Sequence, residues 1–472
     1  MSKSTVFAAV DAEYDRLVDL ACDIWQHPEL GLEEKYAASL LRGVLAEAGF
    51  TIESEIGGMP TAFVASYGTG SPTIGILGEY DALPALSQSV TTVREPLSDG
   101  EPGHGCGHNL FGVAGVGAVL AIKEAIDAGE IDGTVRFYGT PAEETIVGKV
   151  YMARDGAFDD LDAALTWHPC DITGPQRTSS LAVDSVKYSF SGTPSHAAQA
   201  PDAGRSALDG VQLMNTGVEY LREHSPEKAR IHYSITDGGG VPNVVPGEAE
   251  VWYFIRAPTR PEVDRLSARV DQIADGAALM SGTSVERQYI TGAWELLSND
   301  VIGDVMYDTL SELGPIEYTR EDREFAQALQ ETMDPASIES RFRDLPENAA
   351  ESLRGEALAF EVFERTDQAS LMMGSTDVAD VSWITPTAQF RANSWAVGTR
   401  PHTWQAVAAS GGFGTKSAPY AAKALAGTAY ELYTDEAKLV AATEEFEAAT
   451  GNRTYESPLP PDATPPFDVS LE

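Results

Sequence analysis

The chain is 472 residues long, too long for one ordinary core, and its 43% hydrophobic content is that of a globular protein of two or more domains. Lys and Arg number 32 against 72 Asp and Glu, a formal charge of −40. That balance excludes nucleic acid as a partner, because phosphate binding needs a basic face.

In chain order, Val6, Val10, Leu17, Leu20 and Ile24 recur at helical spacing and predict a helix over 5–26. H-P-E-L-G breaks it, and Glu33 to Gly49 predicts a second helix ending at a glycine. Ala62–Tyr67 and Thr73–Leu77 predict short strands, the second running into G-E-Y-D-A-L-P; residues 87–103 form a polar loop. A helix over 113–128, a strand at Thr134–Tyr138 and a strand at Ala163–Thr166 follow. The alternation predicts an α/β catalytic domain over residues 1–179 with a mostly parallel sheet, whose ligands gather at the carboxyl ends of strands. Residues 180–291 read as strand, helix, strand, strand, helix, strand, the βαββαβ order of an inserted ferredoxin-like lid. The catalytic domain resumes over 292–450: helical and acidic over 300–370, a strand at Thr387–Trp395, and helix over 418–449. A Pro-rich tail over 451–472 reads as a loosely docked or disordered end.

The charge carries a further expectation. It repels itself in dilute salt, and the repulsion is screened where the Debye length falls to roughly 3 Å, at molar salt. The composition predicts a halophilic cytoplasmic protein; an acidic mesophilic enzyme is the alternative. Three cysteines, Cys22, Cys106 and Cys170, are too few for a disulfide scaffold and fit a reducing compartment. The first residues lack the layout of a targeting signal, and no apolar run reaches about 18 residues, so no membrane span is expected.

The chemistry concentrates at Gly103–Asn109, G-H-G-C-G-H-N. Imidazole and thiolate are ligands for borderline-soft divalent ions, and glycines let the backbone aim them at one point. Cys106 and His108, two residues apart, are candidate ligands; His104 is a third contributor or a donor behind them. Glu143 and Glu144 follow a predicted strand and a proline. Two adjacent acids there suit two jobs, one binding an ion and the other taking a proton; the bland alternative is a solvated pair at a helix start. His168 in W-H-P and His402 in R-P-H-T-W are each more often structural when taken alone. His196 lies in the inserted segment and reaches a site only if that segment closes or a partner subunit supplies it.

Together these motifs resemble the amidohydrolase branch of the aminoacylase/carboxypeptidase metallopeptidase superfamily. H-P-E-L-G (27–31), G-E-Y-D-A-L-P (78–84), G-H-G-C-G-H-N (103–109), P-A-E-E (141–144), W-H-P (167–169), S-H-A-A (195–198), N-V-V-P (243–246), G-S-T-D-V-A-D-V-S-W (374–383) and H-T-W-Q (402–405) span nearly the whole chain in the family's order. The resemblance implies two divalent metal ions, Mn²⁺ or Zn²⁺, on Cys106, His108, Glu144, His168 and His402, with Glu143 as general base. It implies that His196 stabilises an oxyanion, often across a homodimer formed by the lid, and that Asn243 and Arg256 orient substrate. Arg256 suits a substrate carboxylate, since a guanidinium meets it bidentately; the alternative is a surface arginine. Many relatives place a histidine or arginine before the acidic stretch that here reads L-G-E-Y-D, which has neither. Glu79 and Asp81 are then expected to orient a ligand imidazole from behind. The expected activity is hydrolysis of N-acyl or N-aroyl amino acids. The alternatives are a dipeptidase for unusual dipeptides, or a chain that needs an unlike second subunit.

Overall fold

The structure is a computed structural model that describes residues 3–451 and 453–467. The chain opens with α1 (Ser4–Ala12) and α2 (Tyr14–Gln26), parted at Glu13 where a continuous helix is expected. The break lets two buried faces, one with Val6 and Val10 and one with Leu17, Leu20 and Ile24, each meet the same central helix. Next come α3 (Lys35–Glu47), β1 (Thr51–Ser54), β2 (Phe63–Thr69), β3 (Thr73–Gly78), α4 (His108–Asp127), β4 (Gly133–Gly139), α5 (Gly148–Arg154), β5 (Ala163–Cys170) and β6 (Gly174–Gln176). The middle of the chain holds β7 (Ala182–Ser191), α6 (Ala207–Arg222), β8 (Arg230–Asp237), β9 (Glu248–Ala257), α7 (Arg260–Ser281) and β10 (Ser284–Ala293). The last part has α8 (Asp300–Leu313), α9 (Arg320–Gln330), α10 (Pro335–Asp344), α11 (Glu347–Leu353), α12 (Val378–Ser382), β11 (Thr387–Asn393), α13 (Trp404–Gly411), α14 (Ser417–Thr434) and α15 (Glu436–Thr450).

The first sheet has the order β1-β2-β4-β3-β5-β11-β6. Its centre, β4-β3-β5-β11, is parallel. Its edges, β1-β2-β4 on one side and β11-β6 on the other, are antiparallel. The sheet is therefore mixed where a mostly parallel one is expected. The physical reason is that β2 pairs with β4 rather than with its successor β3, and that two short edge strands, β1 and β6, add to the ends.

The sheet rests on α4, which is buried over most of its length. By length and composition α4 could cross a membrane, but here it is a core helix, packed between β3 and β4 on one side and α1, α2 and α14 on the other. Small residues bring it close. A Cβ at Gly115 would meet the Phe137 ring at 2.7 Å, and one at Gly112 would meet the Glu79 carbonyl oxygen at 2.7 Å. The second approach draws the start of α4 onto the end of β3, which is where the candidate site lies.

The second sheet, β10-β7-β9-β8, is antiparallel throughout. Strand alternation gives β9 two faces. Val251, Tyr253 and Ile255 are buried in a core with residues of α6 and α7, and Trp252, Phe254 and Arg256 fall on the opposite face, half-buried. β8 is an edge strand in which Ile231 alone is buried.

Two expectations for the last part are corrected. Residues 300–370 are helical only as far as Leu353, and the rest is irregular. Arg341 anchors this region by a buried ion pair with Asp171 at 2.9 Å. Of the Pro-rich tail, residues 452 and 468–472 lie outside the described residues, and 453–467 are docked rather than loose. Tyr455 donates to Asp380 at 2.7 Å, the Trp294 indole donates to the Glu456 carbonyl at 3.0 Å, and Leu459 is buried.

Candidate metal centre

Three chain segments and two single residues meet at one place. β3 runs out into Glu79-Tyr80-Asp81, and Tyr80 is pinned by donating its hydroxyl to the Thr61 carbonyl at 2.5 Å. Gly107 precedes α4 in the left-handed region, at φ 76°, where a Cβ would press on Pro169 at 2.9 Å; glycine is needed there, and it turns Cys106 and His108 toward β5. The turn 141–144 follows β4. Its Ala142 is also left-handed, at φ 55°, a conformation that costs about 1 kcal/mol or more outside glycine. The buried Glu34 holds it by accepting the Ala142 N–H at 2.7 Å. His168 lies inside β5 rather than just past its end, and His402, at φ 63°, is fixed by its N–H to the Gly105 carbonyl at 2.9 Å.

The side chains form two three-donor groups that share one sulfur. Cys106, His108 and His168 make one, and Cys106, Glu144 and His402 the other; within each, the donor atoms lie within 4.8 Å of one another. Cys106 Sγ is 3.4 Å from His168 Nε2, and His402 Nε2 is 3.2 Å from Glu144 Oε2. His402 is the exposed member and stands at the mouth. Asp81 contacts His108 Nδ1 at 2.7 Å and accepts the Glu144 N–H at 2.9 Å, so one carboxylate orients two members. The free His108 nitrogen, Nε2, lies 3.2 Å from Glu79 Oε2 and 4.0 Å from Glu143 Oε2, and these three residues form a third such group.

The electrostatics suit a cation. Glu79 Oε2, His108 Nε2 and Glu144 Oε1 are buried without a hydrogen-bond partner, a costly state for polar atoms. Burial, and then the neighbouring His108, lower His168 to about 3, so its imidazole is neutral, the form that binds a metal. Burial pushes the Cys106 thiol well above its ordinary value; a cation beside it would favour the thiolate. Burial, reinforced by Glu79 and Asp377, also pushes Glu143 well above the carboxylate range. The donor set of one sulfur, three imidazoles and one carboxylate, with its orphaned buried atoms, therefore fits divalent metal ions.

Sequence reasoning missed Lys149 and Glu34. Lys149 is fully buried on α5 and lies 2.7 Å from Glu79 Oε1 and 2.6 Å from Asp377 Oδ1. Burial works against its charge, but Asp377 and Glu79 outweigh it and raise its pKa. Glu34, through burial and then the nearby Asp81, is raised to about 8. A single lysine in the apolar run I-V-G-K-V-Y-M was the available signal for the first; nothing marks the second. His104 stays apart from the three groups, 3.3 Å from the Ile24 carbonyl.

His196, Asn243 and Arg256 are not joined to this cluster. His196 is exposed, and its Nδ1 accepts the N–H groups of Ala198 and Gln199, both at 3.2 Å. Asn243 is exposed nearby, its carbonyl accepting the Ala197 N–H at 3.0 Å. Arg256 donates to the Ser375 hydroxyl at 3.2 Å and has no carboxylate partner among the described residues.

The chain is similar to known proteins. The family model for peptidase family M20/M25/M40 matches residues 75–403. The chain is 42% identical, over 97% of its own length and 97% of the relative's, to the B subunit of p-aminobenzoyl-glutamate hydrolase from Escherichia coli strain K12. It is 33% identical to the mouse Xaa-Arg dipeptidase over 59% of this chain and 63% of that one. Among solved structures, a dinuclear metal binding peptidase of the M20 family from Bacillus subtilis shares the fold, with a TM-score of 0.52 at 18% identity, covering 88% of this chain and 98% of the other. With a family match over most of its length and a full-length relative at that identity, the chain belongs to peptidase family M20/M25/M40.

Proposed function

We propose that the chain is a metal-dependent amidohydrolase that cleaves the amide bond of N-acyl or N-aroyl amino acids, with p-aminobenzoyl-glutamate as the type of substrate. The observation that carries the reading is the pair of three-donor groups sharing Cys106, with Glu143 left beside them. The full-length relative named for that hydrolysis supports the substrate class. Cys106, His108 and His168 would hold one ion, and Cys106, Glu144 and His402 the other, each Mn²⁺ or Zn²⁺. Bound there, the ions would supply Lewis acidity to water and to the scissile carbonyl.

Glu143, 4.0 Å from His108 Nε2 and outside both ligand groups that share Cys106, takes the proton of the attacking water and returns it to the leaving nitrogen. Asp81 fixes the ring of His108 from behind, at Nδ1, whereas Glu79 lies 3.2 Å from Nε2, the nitrogen left for an ion, and does not orient the ring from behind as expected. Residues 1–179 and 292–450 form the catalytic domain, and 180–291 a ferredoxin-like lid; the order β7-α6-β8-β9-α7-β10 supports this. Asn243 and Arg256 orient the substrate, Arg256 by its carboxylate, and His196 stabilises the oxyanion of a second copy in a homodimer built on the lid. The β8 edge, with Tyr233 and Ile235 exposed on it, and the exposed Val244, which bridges to His196, favour such an interface.

The experiment is a hydrolysis screen of the purified chain with Mn²⁺ or Zn²⁺, at dilute and molar salt. It covers p-aminobenzoyl-glutamate, N-acetyl amino acids and dipeptides. Release of amino acid from the acyl compounds is expected, best at molar salt given the charge of −40 and a halophilic, cytoplasmic setting. Faster turnover of dipeptides would favour the dipeptidase reading, which the mouse relative supports. Activity only after addition of an unlike subunit would favour the two-component reading, which the Escherichia coli relative supports, being named as one of two lettered subunits of its hydrolase. No turnover in any of these conditions sinks the proposal.

A further inference from the structure

Next to Glu144 the structure has a cavity of about 220 Å³ between the two sheets. Leu30, Leu83 and Pro84 line it from the catalytic side, and Trp252 and Phe254 from β9. We infer that this cavity seats a flat, single-ring aromatic acyl group, and that Trp252 and Phe254 make the enzyme selective for N-aroyl over N-alkanoyl amino acids. The inference rests on the hydrolase reading and deepens it.

Three observations carry it. The walls are apolar apart from the adjacent Glu144 and Thr145, and Glu144 is a member of the Cys106–Glu144–His402 group. An acyl group filling the cavity would thus bring its carbonyl to the donors that act on it. The size fits: a cavity of roughly 150 Å³ suffices for benzene, so one ring with its carbonyl has room and a fused ring pair is crowded. The rings are also built to stay in place. The Trp252 indole donates to the Ser185 hydroxyl at 2.8 Å, and its ring meets Phe254 at 5.8 Å and 75°. Lys187 lies 5.1 Å from the Trp252 ring centre and Arg256 4.8 Å from that of Phe254. Rigid rings lose little entropy on binding, and edge-to-face or offset contacts with an aroyl group favour it over an alkyl chain.

The test compares kcat/KM for N-benzoyl-glutamate and N-acetyl-glutamate, on the full chain loaded with Mn²⁺. Wild type is expected to prefer the benzoyl compound. Trp252→Ala should cut kcat/KM for it roughly tenfold or more, and for the acetyl compound under about threefold, with the change mainly in KM. Trp252→Phe should recover much of the loss. Metal content and thermal unfolding, measured alongside, should match wild type in the Phe variant. Equal losses on both substrates, or no loss, overturn the pocket while leaving the hydrolase reading intact. If neither compound is turned over and the wider screen is silent as well, the hydrolase reading fails on its own. Calorimetric binding of N-benzoyl-glutamate then decides the pocket: weaker binding in Trp252→Ala that Trp252→Phe largely restores supports it, and unchanged binding in Trp252→Ala refutes it.

Discussion

Replacing Lys149 by methionine keeps the volume of a fully buried side chain and deletes its charge. The ammonium is held between Glu79 Oε1 at 2.7 Å and Asp377 Oδ1 at 2.6 Å, and the Lys149 backbone N–H also reaches Asp377 at 2.9 Å. Breaking a buried ion pair from one side costs roughly 3–5 kcal/mol, because the partner is left charged and dry. Here two partners are left, so the expected loss at pH 8 lies in the upper part of that range. Protonation is their way out. Burial already raises both carboxyls and Lys149 restrains them. Without it their folded-state pKa values climb further, and holding them ionised costs about 1.4 kcal/mol for each unit above their unfolded values. The destabilisation should therefore be largest above neutral pH and shrink as pH falls toward the ordinary carboxylate range. Urea unfolding at fixed molar salt, at pH 8 and pH 5, measures this. Glu79→Gln and Asp377→Asn added to Lys149→Met should recover most of the loss at pH 8. A loss under about 1 kcal/mol, or one independent of pH, would refute the reasoning.

Three further outcomes follow from the same geometry. Glu143→Gln should retain its metal and lose at least about a hundredfold in kcat, the scale of a positioned acid–base group; near-normal turnover by a metal-replete variant removes Glu143 as base. His196→Ala should lower kcat by roughly tenfold to a thousandfold at unchanged metal content, as for other oxyanion donors, and an unchanged kcat would make that histidine a bystander. Asp380, pushed to about 7 by burial, binds its proton more tightly folded than unfolded. Its stabilising contribution is full below about pH 4 and is lost as pH rises to about 7, at up to roughly 1.4 kcal/mol per pH unit. Relative to wild type, Asp380→Asn should gain stability over that window; parallel pH–stability curves would contradict this.

Much of the candidate site was legible because its donors sit in short, chemically unusual motifs. Cys106 and His108 among glycines, and the Glu143–Glu144 pair after a strand, point to a metal on residue type and spacing alone. His168 and His402 did not, since each is a single imidazole whose partners lie far along the chain; only the resemblance raised them to ligands, and the structure brings both to Cys106 and Glu144. Lys149 was missed because its meaning depends on Asp377, 228 residues away, and no local pattern encodes that pairing. The βαββαβ order of the second sheet was readable, because alternating burial survives in β9. The mixed character of the first sheet was not, because pairing of β2 with β4 is a tertiary choice and β1 and β6 are too short to show a period. The tail misled for a simpler reason: proline-rich composition reads as a loose or disordered end, while Tyr455, Glu456 and Leu459 hold its described part against the fold.

If one sulfur joins two metal sites, the number of ions bound must follow that sulfur. After exposure to Mn²⁺ or Zn²⁺ and removal of excess, elemental analysis should find two ions per chain in wild type, close to one in His402→Ala, and almost none in Cys106→Ala, since that thiolate belongs to both groups. Full occupancy in a folded Cys106→Ala protein, or a wild type that holds no metal, would contradict the account.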